Sequence, residues 1–232
     1  SVLAAATTQT IIGSNEPLFG VGPSFFADNP IPFTIGMTPA FVVFGVVCGL
    51  VAVSFIRTMQ WSERCFSRIP VPAMIRPGVG ALMLGLLGVG YMLMVAPWAT
   101  ASDADPVPPF FGNGYMVIFR LLETESYSDA AGSMLANGPW ILIGILLLWA
   151  VLKIVSTSLT LGSGGAGGLF APALVVGAIV GSLFGLLVVQ TGWFPTVNPA
   201  HFALVGMAAM VAATTHAPMT GVMLVYEITQ TY

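Results

Sequence analysis

Two apolar segments, residues 139–161 and 169–190, are separated by a loop that consists mostly of glycine. The loop glycines are Gly162, Gly164, Gly165, Gly167 and Gly168. Each apolar segment is about 20 residues long, which as a helix is enough to cross the hydrocarbon core of a bilayer. The second segment carries Pro172 in its first turn, where the missing N–H of proline costs nothing. The sequence therefore predicts a membrane helix that begins directly behind nearly bare backbone.

The chain has too few charged residues to form the surface of a soluble protein. Charged residues make up 6% and hydrophobic residues 56%, with a mean hydropathy of +0.94, whereas soluble domains carry about 25% charged residues. A net charge of −3 without any basic run argues against a nucleic-acid partner. Cys48 and Cys65 lack the spacing of metal ligands and are predicted to pack as apolar side chains. We therefore expect an all-α integral membrane protein.

Further helices are predicted from apolar runs and from the glycines and prolines that interrupt them. They cover residues 40–59, 78–96, 115–122, 202–214 and 218–230. The last three are too short to cross a bilayer, so tilted and partially spanning helices are expected. Glycines spaced four residues apart predict two faces for close helix packing. These glycines are Gly45 and Gly49 on one helix, and Gly177, Gly181 and Gly185 on another.

The arginines predict the orientation of the chain, because arginine in short loops marks the cytoplasmic side. They cluster at Arg57, Arg64, Arg68 and Arg76. Segment 57–76 is therefore predicted to be a cytoplasmic loop. Segments 14–39 and 97–130 are expected on the opposite side, and residues 1–13 are interpreted as the end of a membrane helix.

The helix start near Leu169 predicts an anion site. The first N–H groups of a helix have no partner within it, the helix dipole places a partial positive charge there, and glycine allows close approach. The alternative is a tight turn between packed helices, with water or a facing carbonyl satisfying the N–H groups. Residues 162–167 also match G-x-G-x-x-G. A preceding helix and the absence of an acidic residue about 20 positions later argue against a dinucleotide site.

Three motifs resemble the CLC family of chloride channels and chloride/proton antiporters. The first is GSGGAGGLFAP at 162–172, similar to the GxFxP region of that family. The second is HAPMTG at 216–221 followed by LVYEIT at 224–229, and the third is GNGY at 112–115. Their order and spacing agree with the family, and the resemblance covers essentially the whole chain.

The resemblance implies that backbone amides at the helix tip bind a dehydrated chloride. The implied anion-binding residues are Gly168, Leu169, Phe170 and Ala171, and the residues that shape the site are Gly164, Gly165, Gly167 and Pro172. Chloride is then a transported ligand, and neither a cofactor nor a metal is expected. Partial charges on amides suit a monovalent anion that must leave again, whereas a full lysine or arginine charge would hold it too tightly.

Two family motifs are missing from residues 1–232: a serine-bearing GSGIP motif and the G-(K/R)-E-G-P loop with its gating glutamate. The chain is therefore predicted to be a single transmembrane domain fragment, the second inverted repeat without its last two helices. The resemblance implies a homodimer with contacts at 1–13 and 219–230, an N-terminal half in the same parent chain, and a plasma (inner) membrane if bacterial. Whether the protein is a channel or an anion/proton antiporter stays open.

Other classes of protein and the remaining polar residues have simpler interpretations. A membrane-embedded enzyme would need a cluster of ionisable groups, which the apolar spans lack, and a non-conducting scaffold or anion-regulated subunit remains the alternative. Glu227 is predicted to lie near an interface or to accept local hydrogen bonds. His216 is predicted to cap a helix or face water, and Lys153 to snorkel or to pair with a carbonyl.

Overall fold

The computed structural model describes residues 35–95, 108–123, 127, 138–192 and 197–229, and every regular element in them is helical. The predicted helix end at 1–13 and much of segments 14–39 and 97–130 lie outside these residues. A 3-10 turn at Ile35–Met37 precedes the α-helices. They are α1 (Thr38–Arg68), α2 (Arg76–Val95), α3 (Tyr115–Leu122), α4 (Pro139–Gly162), α5 (Phe170–Gln190), α6 (Pro199–Thr215) and α7 (Pro218–Thr229).

Four helices, α1, α2, α4 and α5, are long and apolar enough to cross a membrane. Helices α3 and α7 have only 8 and 12 residues, and α6 with 17 residues is about 26 Å long, short of a bilayer core of about 30 Å. The predicted mixture of spanning and shorter helices is therefore confirmed. The start of α6 was predicted three residues too late, because Asn198 caps the helix at the amide of Ala200 and Pro199 occupies its first position.

Helix α1 corrects the predicted cytoplasmic loop. It runs 31 residues to Arg68, so Arg57 and Arg64 lie on a helix and only residues 69–75 connect α1 to α2. The helix continues through its polar residues and stops before Pro70, since a proline disfavours helical geometry in the residue that precedes it. At about 46 Å, α1 is longer than a bilayer core is thick.

Helix α5 forms the centre of the packing. It is the most buried of the four candidate spans, and α6 lies along its predicted glycine face. Added methyl groups at Gly177, Gly181 and Gly185 would overlap or press on the α6 backbone, which confirms this face as a close contact. The prediction for Gly45 and Gly49 was wrong for the described residues, because nothing in them lies within 4 Å of an added methyl at either position.

An aromatic cluster joins α1 to this central pair. Phe44 of α1 lies 4.9 Å from Phe184 of α5 and 5.7 Å from Phe202 of α6, measured between ring centroids. Phe44 and Phe202 are each only 1% exposed. These contacts fix α5 between two helices, so the position of its N-terminus is set by the packed core.

Candidate anion site

Three backbone hydrogen bonds form the turn at the C-terminal end of α4. The amides of Ser163, Gly164 and Gly165 donate to the carbonyls of Leu159, Leu161 and Thr160 at 3.0–3.1 Å. Gly164 has φ +91°, which glycine adopts without strain, and an added methyl on Gly165 would lie 2.7 Å from the carbonyl oxygen of Thr160. Glycine at these two positions is therefore required by the turn itself.

Two neighbouring helices hold this turn in place. The Ser62 hydroxyl of α1 donates to the Ser158 carbonyl at 2.7 Å, and Gly162 packs so closely that an added methyl would overlap Ser62. On the other side, a methyl added to Gly80 of α2 would overlap the Ser163 side chain. The Ser163 hydroxyl in turn donates to the Thr160 carbonyl at 3.0 Å. The residues leading to the tip of α5 are thus clamped between α1 and α2.

The N-terminus of α5 carries amides for which the described part of the chain supplies no acceptor. The N-cap residue Leu169 supplies no side-chain cap, and the first helical hydrogen bond runs from the Ala173 amide to the Leu169 carbonyl at 3.0 Å. Pro172 has no N–H. Within the described residues, the amides of Leu169, Phe170 and Ala171 therefore donate to no backbone or side-chain acceptor. Donors and helix dipole point the same way, which is the arrangement of an anion site.

The tip is open to its surroundings on this chain. Gly168 is exposed, Leu169 and Ala171 are half-buried, and the Phe170 side chain is 37% exposed. The predicted residues 168–171 run from the last glycine of the loop through the N-cap Leu169 into the first turn of α5, which also contains Pro172. Within the described residues, no facing carbonyl accepts from the amides of Leu169, Phe170 and Ala171. The alternative of a tight turn with water on these amides stays open.

A cavity of about 150 Å³ adjoins the tip, and sequence reasoning did not anticipate it. Gly167, Gly168, Pro172 and Lys153 are among the residues that line it. Lys153 is only 2% exposed and donates to the carbonyls of Phe110 and Gly112 at 3.2 and 2.9 Å. The predicted pairing with a carbonyl is confirmed, whereas the predicted alternative of snorkelling is not. A lone lysine in an apolar helix was the available signal.

Helix α5 is also tied to α3 by a tyrosine that sequence reasoning did not single out. The Tyr127 hydroxyl donates to the Leu121 carbonyl at 2.9 Å and shares a hydrogen bond of 2.8 Å with Ser182 of α5. Burial raises the pKa of Tyr127, so the hydroxyl keeps its proton and remains a donor throughout the physiological range. The contact fixes the middle of α5.

Two other residues considered from sequence stay away from the tip. His216 is exposed and ends α6 in the left-handed region with φ +56°, which confirms the predicted cap or water-facing role. The Glu227 side chain lies outside the described residues. Within the part of the chain that the structure describes, no group of three metal-ligating side chains occurs.

The clamp on the turn predicts a difference between two neighbouring glycines of α2. Gly80→Ala should destabilise the protein by about 1–3 kcal/mol, because the new methyl displaces Ser163 from the turn. Gly78→Ala is the matched control, since nothing lies within 4 Å of its added methyl. Thermal unfolding of the full-length protein in detergent measures both. Equal melting temperatures for the two variants would show that α2 does not hold the turn.

Comparisons with known proteins agree with this all-helical membrane fold. A solved structure of a slow cyanobacterial Cl⁻/H⁺ antiporter superimposes with a TM-score of 0.64 at 21% identity, covering 96% of this chain and 44% of that one. The sequence also matches the family described as voltage gated chloride channel over residues 1–232. The protein is an integral membrane protein, and the chain belongs to this voltage-gated chloride channel family.

Relatives of known name include both channels and exchangers. "Chloride channel protein CLC-f" of Arabidopsis thaliana is 29% identical, with 100% of this chain and 27% of the relative covered. "H(+)/Cl(-) exchange transporter ClcA" of Vibrio cholerae is 31% identical, with 100% and 42% covered. A "Putative chloride channel protein ClcB-like" of Ralstonia nicotianae is 28% identical, with 100% and 46% covered. The chain thus spans less than half the length of these relatives, which are named as transport proteins and not as enzymes.

Proposed function

We propose that this chain forms one half of a pathway for chloride or a similar monovalent anion, which the amides at the N-terminus of α5 bind directly. The observation that carries the proposal is the set of three amides, on Leu169, Phe170 and Ala171, that find no acceptor among the described residues at a helix tip without a side-chain cap. The partial positive charge of the helix dipole adds to these donors. Gly168, with no Cβ, leaves room for the anion beside them.

Amides suit transport because the anion must be released as well as bound. Each N–H carries a partial charge, and several together replace part of the hydration shell of the anion. They bind the anion less tightly than a full opposite charge would. The clamped turn fixes where these amides point, so no reorganisation is needed when an anion arrives. Membership of a family whose named relatives are chloride channels and Cl⁻/H⁺ exchangers supports chloride as the anion.

The remainder of the pathway is proposed to come from outside this chain. Because relatives are more than twice as long, we assign residues 1–232 to the second repeat of a longer protein, opposite an N-terminal half. The exposed tip of α5 is the surface on which that half would close the site. A homodimer in a plasma (inner) membrane, if bacterial, completes the proposed assembly.

Replacing one peptide N–H by an ester oxygen tests the amides themselves. In the full-length protein, an ester at the Phe170 position should weaken halide affinity about 10- to 100-fold, since a hydrogen bond to a charged group contributes about 1.5–3 kcal/mol. An ester at Ala173 is the matched control, because that N–H already donates to the Leu169 carbonyl. Phe170→Ala keeps the N–H and should weaken affinity only a few-fold. Isothermal titration with chloride or bromide measures all three.

Chloride flux from liposomes that contain the full-length protein tests the transport role. We expect flux in the unmodified protein and a strong reduction in the Phe170 ester. If the folded protein binds halide but passes none, the chain belongs to a non-conducting scaffold or an anion-regulated subunit. If the Phe170 and Ala173 esters bind halide equally well, the α5 amides are not the site.

A further inference from the structure

The outward face of α1 changes from apolar to basic along its length. Residues three or four positions apart lie on the same face of a helix. On this face the first half of α1 carries four exposed apolar side chains, those of Val43, Val46, Leu50 and Val53. The same face continues with four further exposed residues, Arg57, Trp61, Arg64 and Arg68. We name these last four residues the basic stripe.

The basic stripe points away from the helices that pack against α1. The buried residues of the same helical turns, Phe55, Ser62 and Phe66, lie on the opposite side of α1. There Ser62 donates to the Ser158 carbonyl of α4. Glu63 is the only acidic residue of α1, and with about 3.6 residues per turn it lies about a third of a turn from the stripe. Three arginine charges are therefore presented outwards without an acidic residue among them.

The length of α1 places the stripe at a membrane surface. At about 46 Å, α1 exceeds a bilayer core of about 30 Å by about 16 Å, which is the length of helix from Arg57 to Arg68. Residues 69–75 then lead directly into α2, a second candidate span, so this end of both helices lies at one surface. The connection exposes the apolar side chains of Met74, to 94%, and Ile75. Exposed tryptophan and apolar side chains beside basic ones are typical of segments at the level of lipid headgroups.

We propose that the basic stripe binds the phosphate groups of anionic phospholipids, such as phosphatidylglycerol. A guanidinium group presents its N–H donors in a planar fork that matches two phosphate oxygens. Arginines close to a membrane surface are also attracted by the negative potential of an anionic leaflet. The inference is independent of the proposed anion site, because the stripe lies on the side of α1 that faces away from the turn between α4 and α5.

The apolar part of the same face favours a lipid over a protein as the occupant. A phospholipid has acyl chains that lie in the bilayer core and a charged headgroup at their end. The outward face of α1 presents matching surfaces in the same order, with Val46, Leu50 and Val53 beside the chains and the stripe beside the headgroup. Trp61, which is 67% exposed, suits the boundary between chains and headgroups, where tryptophan is enriched. One phospholipid can therefore contact both parts of the face at once.

Fluorescence quenching of Trp61 by brominated lipids tests the proposal. Full-length protein is reconstituted into phosphatidylcholine vesicles that contain increasing fractions of a phospholipid with brominated acyl chains, because bromine quenches only tryptophan that it contacts. The difference between the unmodified protein and Trp61→Phe isolates the signal of Trp61. We expect brominated phosphatidylglycerol to quench Trp61 at about a three- to tenfold lower mole fraction than brominated phosphatidylcholine. Because the attraction is electrostatic, about 1 M salt should reduce this preference.

Arginine variants separate the stripe from the overall charge. Arg57→Gln, Arg64→Gln and Arg68→Gln combined should abolish the preference for phosphatidylglycerol and leave the reporter tryptophan in place. If the combined variant does not fold, Arg64→Gln alone should reduce the preference about twofold. Arg76→Gln is the matched control, because it removes an arginine at the same end of the protein that is half-buried and donates to the Val71 carbonyl. It should leave the preference unchanged.

Equal quenching by the two brominated lipids in the unmodified protein would overturn the proposal, as would an unchanged preference in the combined variant. An equal loss of preference in Arg64→Gln and Arg76→Gln would reject it too, since binding would then follow net charge and not this face. If neither lipid quenches Trp61, another part of the full-length protein covers the face, and the stripe is not a lipid site. Each of these results leaves halide binding at the α5 amides to its own tests.

Discussion

Inserting one alanine after Gly168 is expected to abolish halide binding, with affinity reduced at least about 100-fold. The body of α5 cannot shift to absorb the insertion, because Gly177, Gly181 and Gly185 fit against the α6 backbone at a fixed register. The extra residue must therefore enter the turn. Its methyl group and its carbonyl would lie in front of the amides of Leu169 and Phe170, where a carbonyl repels an anion and competes for the same N–H groups.

The same alanine inserted after Gly192 is the matched control. Gly192 lies in the exposed turn at the other end of α5, with φ +71° and nothing within 4 Å of an added methyl. Its insertion should leave halide affinity within about twofold of the unmodified protein. Isothermal titration of the full-length protein compares the two, and thermal unfolding checks that both variants are folded. Normal halide affinity in the Gly168 insertion would refute binding by the α5 amides.

Sequence predicted the helices best where glycine and proline mark their ends. Helix α3 was predicted at 115–122 and α4 at 139–161, within one residue of the structure. The end of α1 was missed by nine residues, because the segment after Met59 is polar enough to resemble a loop although nothing in it breaks a helix before Pro70. Hydropathy thus located the apolar part of α1 and not the full helix.

The α5 tip and the cavity beside it differ in how far the sequence predicts them. The α5 tip is a run of consecutive residues, so its motif, its proline and its missing cap are all visible along the chain. The cavity is not visible along the chain, because the Lys153 ammonium group donates to carbonyls 41 and 43 residues away in the sequence. Only the packing of α4 against the GNGY turn brings these groups together. No spacing of residues in the sequence predicts that a lysine is buried between carbonyls.

Glycine patterns show the same limit. Gly45 and Gly49 have the spacing of a packing face as clearly as Gly177 and Gly181 do, yet only the α5 pair contacts a helix within the described residues. Spacing shows that close approach is possible, and the partner decides whether it occurs. The outward face of α1 carries exposed apolar side chains, among them Val42, Val46 and Leu50, as expected for a surface that meets lipid or another part of the protein.

Replacing Gly181 by alanine is expected to destabilise the protein by about 2 kcal/mol net, from an overpacking cost of about 3 kcal/mol and a smaller gain in helix propensity. The new methyl group would overlap the Phe202 carbonyl oxygen and the backbone that follows it, and helical backbone cannot rotate away as a side chain can. Overpacking typically costs about 1–3 kcal/mol, and a backbone obstacle places this site at the upper end. The gain of about 1 kcal/mol in helix propensity on replacing glycine by alanine offsets only part of the cost.

Gly144→Ala in α4 is the matched control, since it makes the same chemical change in another membrane helix with nothing within 4 Å of the new methyl. It should leave the melting temperature unchanged or slightly raised, whereas Gly181→Ala should lower it by several degrees in the full-length protein. Because α6 holds α5 in register, Gly181→Ala should also weaken halide affinity although it lies three helical turns from Phe170. Equal melting temperatures for the two variants would mean that the glycine face does not set the position of α5, and the fixed register on which the insertion experiment depends would fail with it.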